Sequence, residues 1–458
     1  MRGDRSLVIG CMLMVLASTA AAQVLEPPPR PHGGLFGGRP APDPKRTHQE
    51  LTLEGSLLGG YDDNVAPPTG GDAVTLHPSG YIGFGDGRVR YWIGKDARSM
   101  ELSGRAYMNT YRNAGVGPSY GGEQRVRVRT ALGRRTQLEA AQDLGYVPYI
   151  SLGLFGAAQR DAGAQNPERH PTEALTESGS WMKGGSASLV RKWGRRTSTN
   201  VGYVFSTQTY VNSVRFDSRM HLGSIGLDQS IGRTATIRAT YQHSDNEFNH
   251  QDGRTFPLLN RTIDLGFHYQ RRLSRTRQLS FSGGAGVTYV DTVEQSTKAP
   301  LQFWRPSGYG TVHLDVGRAW SLAGDYKQSI SVLQGVAPEA FVTRAGIISA
   351  GGLLRPWLES VFTAGYSNGL AGERGSDRFP GSYDGYTGTA QLRVRLTRWW
   401  SSVVSFNRFQ YRLNPEASHS LGVAPELHRN GVRVGFAWLL PLYGSSVEHR
   451  GPLSGPRN

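Results

Sequence analysis

Cysteine is almost absent from this chain. Cys11 is the only one, and cleavage at the small-residue site described below would remove it, leaving a mature chain without disulfides or thiolate chemistry. Long apolar runs are missing too. After the first two dozen residues no stretch approaches the roughly 18 apolar residues a spanning helix needs, which excludes a helical inner-membrane protein. No HExxH, P-loop or dinucleotide fingerprint in strand-turn-helix context occurs, so neither a metal nor a cofactor is expected. Acidic residues are the scarcer charge, 36 against 51 basic, for a net +15. That balance invites a nucleic-acid reading, but the arginines are spread along the chain without zinc-finger spacing, a basic helix or a concentrated tail. No nucleic-acid partner is expected.

What is present begins with an export signature. Arg2 and Arg5 precede the apolar stretch Ser6 to Val15, and "STAAAQ" places Ala20 and Ala22 at small-residue cleavage positions. Residues 1–22 read as a signal peptide, because the apolar stretch before Cys11 is too short for the competing lipoprotein reading. Residues 23–48, with "EPPPRPHGG" and "GRPAPDPKR", read as a proline-rich periplasmic tether, since proline lacks the amide hydrogen a ladder requires. Residues 49–443 form the main domain, and 444–458 a C-terminal tail.

From Leu51 onward the dominant period is two. In "QLSFSGGAGVTYV", Leu279, Phe281, Ala285, Val287 and Tyr289 alternate with small or polar residues; "RTIDLGFHYQ" sets Ile263, Leu265, Phe267 and Tyr269 against Thr262, Asp264, Gly266 and His268. Alternation gives each strand one apolar and one polar face. A soluble sandwich would share it, so the connections decide. Eight short turns, among them "GRR" at Gly133, "GRT" at Gly232 and "TRWW" at Thr397, interleave with nine longer polar connections such as "YDDNVAPPTGG", "DNEFNHQDGR" and "VLQGVAPEA". Short turns at one end and long loops at the other mark a transmembrane β-barrel. The expected fold is all-β: a closed antiparallel up-and-down barrel of 18 strands, with 16 as the fallback, in the bacterial outer membrane.

In such a barrel the apolar set faces lipid, with aromatics gathered in two bands. Tyr146, Tyr210, Tyr241, Tyr289 and Tyr366 are expected near the loops; Trp193, Trp357 and Trp400 near the turns. The polar set faces inward. "QRVRVRTAL" puts Arg125, Arg127 and Arg129 on one face, with Glu101, Glu139 and Asp143 on corresponding faces of neighbouring segments. Arg238, Lys327, Arg344, Arg393, Arg395, Arg433, Asp264, Asp315 and Asp325 complete the expected lumen lining. Midplane Arg or Lys facing lipid costs about 2–4 kcal/mol, hence the inward assignment. Arg–carboxylate pairs would brace the wall, and any basic surplus at a constriction would favour anions. The connection at 151–178 is read as an outside loop, with a constriction or lid as the alternative.

Catalysis is not expected. A barrel hydrolase needs a histidine within reach of a serine; His268 and His313 fall on polar faces, and His243 on the outward parity has no serine assigned. "YDDN" could offer Asp62, Asp63 and Asn64 to a cation, but three oxygen-bearing side chains are too few, and a turn explains them. "LEGSLLGGYDDNV" (Leu53 to Val65), "YMNTYRNAG" (Tyr107 to Gly115) and the repeated strand-GR-strand hairpins resemble the outer-membrane β-barrel porin 2 family over about Leu51 to Leu440. The resemblance implies a porin-like protein with outer-membrane lipid and the barrel assembly machinery as partners, a homo-oligomer by analogy, and no catalytic residues. Some members imply envelope export partners in polysaccharide export. The leading expectation is passive diffusion of small polar, anion-leaning solutes; the alternatives are an export or surface-assembly component and, behind it, a barrel-embedded lipid hydrolase.

Overall fold

The computed structural model describes residue 35 and residues 48–64, 79–95, 98–112, 118–148, 150–151, 174–176, 179–211, 216–250, 253–274, 276–293, 300–317, 319–333, 337–371, 382–414 and 425–444. The expected signal peptide, most of the tether, the centre of the 151–178 connection and the tail beyond 444 lie outside these residues.

The described chain is almost entirely strand. In order these are β1 (His48–Asp62), β2 (Gly80–Lys95), β3 (Arg98–Arg112), β4 (Ser119–Ala131), β5 (Thr136–Val147), β6 (Ile150–Ser151), β7 (Ala174–Thr176), β8 (Ser180–Lys192), β9 (Thr197–Tyr210), β10 (Asp217–Ser230), β11 (Ala235–Asn249), β12 (Thr255–Ser274), β13 (Arg277–Val293), β14 (Pro300–Val316), β15 (Trp320–Leu333), β16 (Ala337–Arg355), β17 (Leu358–Ala371), β18 (Ser382–Arg395), β19 (Trp400–Leu413) and β20 (Glu426–Tyr443). All but β6 and β7, which form a separate two-stranded ribbon, belong to one 18-stranded sheet. Each strand pairs antiparallel with its sequence neighbours, and β1 pairs with both β2 and β20, so the sheet closes on itself. Closure leaves no sheet edge, the requirement for crossing lipid with strands.

Two expected long connections are shorter than the sequence suggested. β11 runs to Asn249 and β12 starts at Thr255, while β15 ends at Leu333 and β16 starts at Ala337. Much of "DNEFNHQDGR" and "VLQGVAPEA" is therefore strand. Barrel strands span 12 to 20 residues, more than the ~9–11 a tilted strand needs to cross the hydrocarbon layer.

That surplus length explains a change of polarity along the wall. Over the turn-side part, large apolar side chains on one parity are exposed: Leu57, Val89, Leu102, Leu227, Ile263, Leu265, Val404 and Val434. They mark the outer face. Aromatic pairs on this face, Tyr146–Trp181 at 5.1 Å, Tyr289–Trp304 at 5.0 Å and Tyr366–Tyr386 at 5.0 Å, lie toward the long-loop end. Trp400–Trp438 at 5.5 Å lies toward the turns. Nearer the loops the alternation reverses. Phe248, Phe256, Leu258, Val290 and Phe303 form a buried cluster on the inner face, and Tyr383, Tyr411, Leu413 and Leu427 are buried on it too, while the outer positions become polar. Tyr210 belongs to this inner set: it is buried, not a lipid-boundary ring. Past the apolar outer zone the strands wall a packed interior with a wet exterior, the arrangement of an ordinary soluble sheet.

Candidate functional site: the inner wall

Interior chemistry starts from the hairpins. Around the turn at 132–135, β4 and β5 set Arg125 opposite Asp143 and Arg129 opposite Glu139. Arg125 forms an ion pair with Asp143; Arg129 Nη2 lies 2.7 Å and Arg127 Nε 3.7 Å from Glu139. The ladder continues into β2 and β3, where Arg90 Nε sits 2.9 Å from Glu101 and the buried Arg105 Nε 3.3 Å from Asp86. Arg238 pairs with Asp228 at 2.5 Å across the β10–β11 hairpin. Asp86 and Asp228 escaped the sequence reading. A signal for Asp228 was available, because it and Arg238 are equidistant from the short turn and so must face each other.

The remaining candidates separate into three groups. Asp264 accepts from Ser307 Oγ at 3.0 Å, Asp315 lies 3.0 Å from His313 Nε2, and Asp325 and Lys327 share the inner parity of β15. Arg393 and Arg395 share the inner parity of β18, and Arg395 Nη1 donates at 3.5 Å to the carbonyl of Leu35, a buried residue from the expected tether. Arg344 is a correction: it lies on the outer face. It pairs in register with Gln328 and Asn368, on the parity of the exposed Tyr326, Ile348 and Tyr366, and its Nε donates to Gln328 Oε1 at 3.2 Å. Arginine that faces lipid is costly, which is why an inner position is expected for Arg344. Arg344 escapes that penalty by sitting beyond the apolar zone, where the outer face has turned polar.

Arg433 is inside but fully buried, with Nη2 3.6 Å from Asp62, itself fully buried. This pair brings "YDDN" to its role. Asp62 points inward to Arg433; Asp63 points outward and accepts from Asn430 N and Nδ2, both at 2.7 Å; Asn64 Nδ2 donates to the His428 carbonyl at 3.0 Å. The three side chains diverge, so they do not converge on a cation. They fasten the first strand to the last, where the barrel closes. Glycine makes room for the fastening: a Cβ on Gly431 would collide with Asp62 Oδ1, and one on Gly60 with the Val432 carbonyl.

The histidines give a limited constellation. His268 Nδ1 meets Ser282 Oγ at 2.8 Å on the inner face, a serine partner the sequence reading did not find. No carboxylate is bound to the other nitrogen of this ring among the described residues, so the orienting third member of a triad is not assembled there. His243 lies on the outer face opposite Arg261. No group of three metal-ligating side chains occurs among the described residues, and no helix among them is long and apolar enough to cross a membrane, which says nothing of β-barrels.

No family model and no curated protein matches the chain. Solved structures similar to it include three Pseudomonas aeruginosa proteins. OprD shares 10% identity, covering 86% of this chain and 96% of that one, with a TM-score of 0.43. OccK5 (OpdH) shares 10%, covering 86% and 99%, with a TM-score of 0.42. OccK3 (OpdO) shares 12%, covering 86% and 96%, with a TM-score of 0.42. At these values the likeness carries no weight for this chain's function; the eighteen-stranded barrel stands on its own strand pairing.

Proposed function

We propose that this protein is a porin-like channel of the bacterial outer membrane that passes small polar solutes, with the short turns on the periplasmic side. One observation carries the reading: a closed 18-stranded barrel whose apolar side chains face out and whose turn-side interior is lined by charged ladders. A barrel of this size is wide enough for an aqueous path, and interior charges of this density need water or partners. The ladders neutralise much of the basic excess, so the expected anion preference is weak. Arg393, Arg395 and Lys327 are the residues assigned to it.

A second reading has its own observation. The inner face at the long-loop end is apolar and buried in several sectors, so the path narrows toward the outside, as a component opened by an export partner would require. Liposome swelling with sugars of graded size separates the two. Swelling that falls off smoothly with solute size supports constitutive diffusion; none with even the smallest sugar refutes it in favour of a closed, partner-opened barrel.

A further inference from the structure

β14 and β15 are neighbours in the wall, yet their pairing runs only from Val316–Trp320 up to Gly308–Gln328. Above that rung, residues 300–307 of β14 stay paired with β13, and β15 stays paired with β16 up to Leu333. Two strand edges therefore adjoin without a ladder between them. Proline accounts for where the ladder stops. Pro306 has no amide hydrogen, and its carbonyl accepts from Gln328 Nε2 at 2.9 Å, so the missing donor faces β15.

The seam is closed by side chains. Ile330 has the outer-face parity of Tyr326 and Gln328, yet it packs against the inner cluster of Phe248, Leu258, Val290 and Phe303. The upper part of β15 thus laps behind β14. Backbone groups left unpaired are costly unless covered or hydrated, and just above the rung of Gln328 and Arg344, at the upper border of the apolar zone, the lap supplies that cover. A contact between side chains separates far more readily than a hydrogen-bonded ladder.

Apolar surface lies on both sides of this lap. Inside is the phenylalanine-rich cluster. Outside, starting at the rung of Gly310 and Tyr326 just below the last paired one, an apolar groove of about 650 Å³ runs over Gly324 and Gly346 between Val312 and Ile348. Its volume falls within the ~300–1,000 Å³ of small-ligand sites. On the inner face, Arg305 and Lys327 flank the last rung. We propose that the β14–β15 seam is a lateral gate for a single-chain anionic amphiphile: the head group is held inside by Arg305 and Lys327, while the tail passes between the strands into the outer groove and the bilayer. The inference rests on the membrane-barrel reading and adds a second, sideways route to the axial one.

The test uses full-length protein in phospholipid vesicles, with transfer of a fluorescent long-chain fatty acid from water to bilayer as one readout and swelling by a small sugar as the other. Ser307→Cys with Ser329→Cys places thiols at the first unpaired rung of a chain whose only other cysteine is Cys11. Gly324→Leu fills the groove; a Cβ there meets only Ile348 Cγ2, at 3.8 Å. The wild type should transfer the fatty acid faster than protein-free vesicles. The oxidised cysteine pair should fall to the protein-free rate and recover on reduction, and Gly324→Leu should slow transfer, both with sugar swelling unchanged. If no disulfide forms, Gly324→Leu decides alone. Wild-type transfer at the protein-free rate, or transfer undiminished in the variants, overturns the gate. Fatty-acid transfer without sugar swelling would instead refute the axial channel and leave the gate standing.

Discussion

Removing Asp62 is the sharpest perturbation of barrel closure. Its carboxylate is fully buried 3.6 Å from Arg433 Nη2, also fully buried, on the two strands that join the ends of the sheet. Asp62→Ala leaves the Arg433 charge without this counter-ion in a place water does not reach. Breaking one side of a buried pair costs about 3–5 kcal/mol, whereas replacing both members by apolar groups is often close to neutral. Arg433→Met should therefore cost about as much as Asp62→Ala, and the double variant Asp62→Ala, Arg433→Met should cost less than either single one. Urea unfolding of protein refolded into vesicles, followed by tryptophan fluorescence, measures all four chains. Single-variant losses under about 1 kcal/mol, the range of exposed pairs, or strictly additive losses, would refute the assignment of this pair as the clasp of the barrel.

Other outcomes follow from the two faces of the wall. Neutralising Arg393 and Arg395 together to glutamine should lower anion preference in a reversal-potential measurement, and Arg344→Gln should leave it unchanged; an equal effect from Arg344 would contradict its outer placement. Glu139→Gln weakens contacts to Arg127 and Arg129 that are partly exposed, at 18–47% for the three side chains, so its cost to stability in the same urea assay should stay near 1 kcal/mol or below. Deleting residues 23–47 removes Leu35 from Arg395 and should raise single-channel conductance; an unchanged conductance would show that this contact does not narrow the turn-side mouth.

The barrel was legible because period two survives over whole strands and because short turns fix which residues face each other. Strand number came from counting connections, and it matches the paired sheet even though the connections at 250–254 and 334–336 are nearly as short as turns. The face assignments were legible only where lipid sets them. Arg125, Arg127 and Arg129 sit beside valines within the apolar zone, so parity and solvation agree. At Arg344 and Tyr210 parity remains readable but its meaning reverses, since the strands there have left the lipid and enclose a packed interior. Nothing local in the sequence marks that height. "YDDN" shows a different limit: its three polar residues invited a turn or a cation, while their partners, Asn430, His428 and Arg433, stand at the far end of the chain and become neighbours only when the barrel closes.

Planar-bilayer recording of the purified protein under a salt gradient decides whether the barrel is an open channel. An open, weakly anion-preferring barrel gives steady conductance steps with a reversal potential displaced slightly toward the anion. A trace that stays closed at all voltages, or a clear cation preference, would contradict that reading.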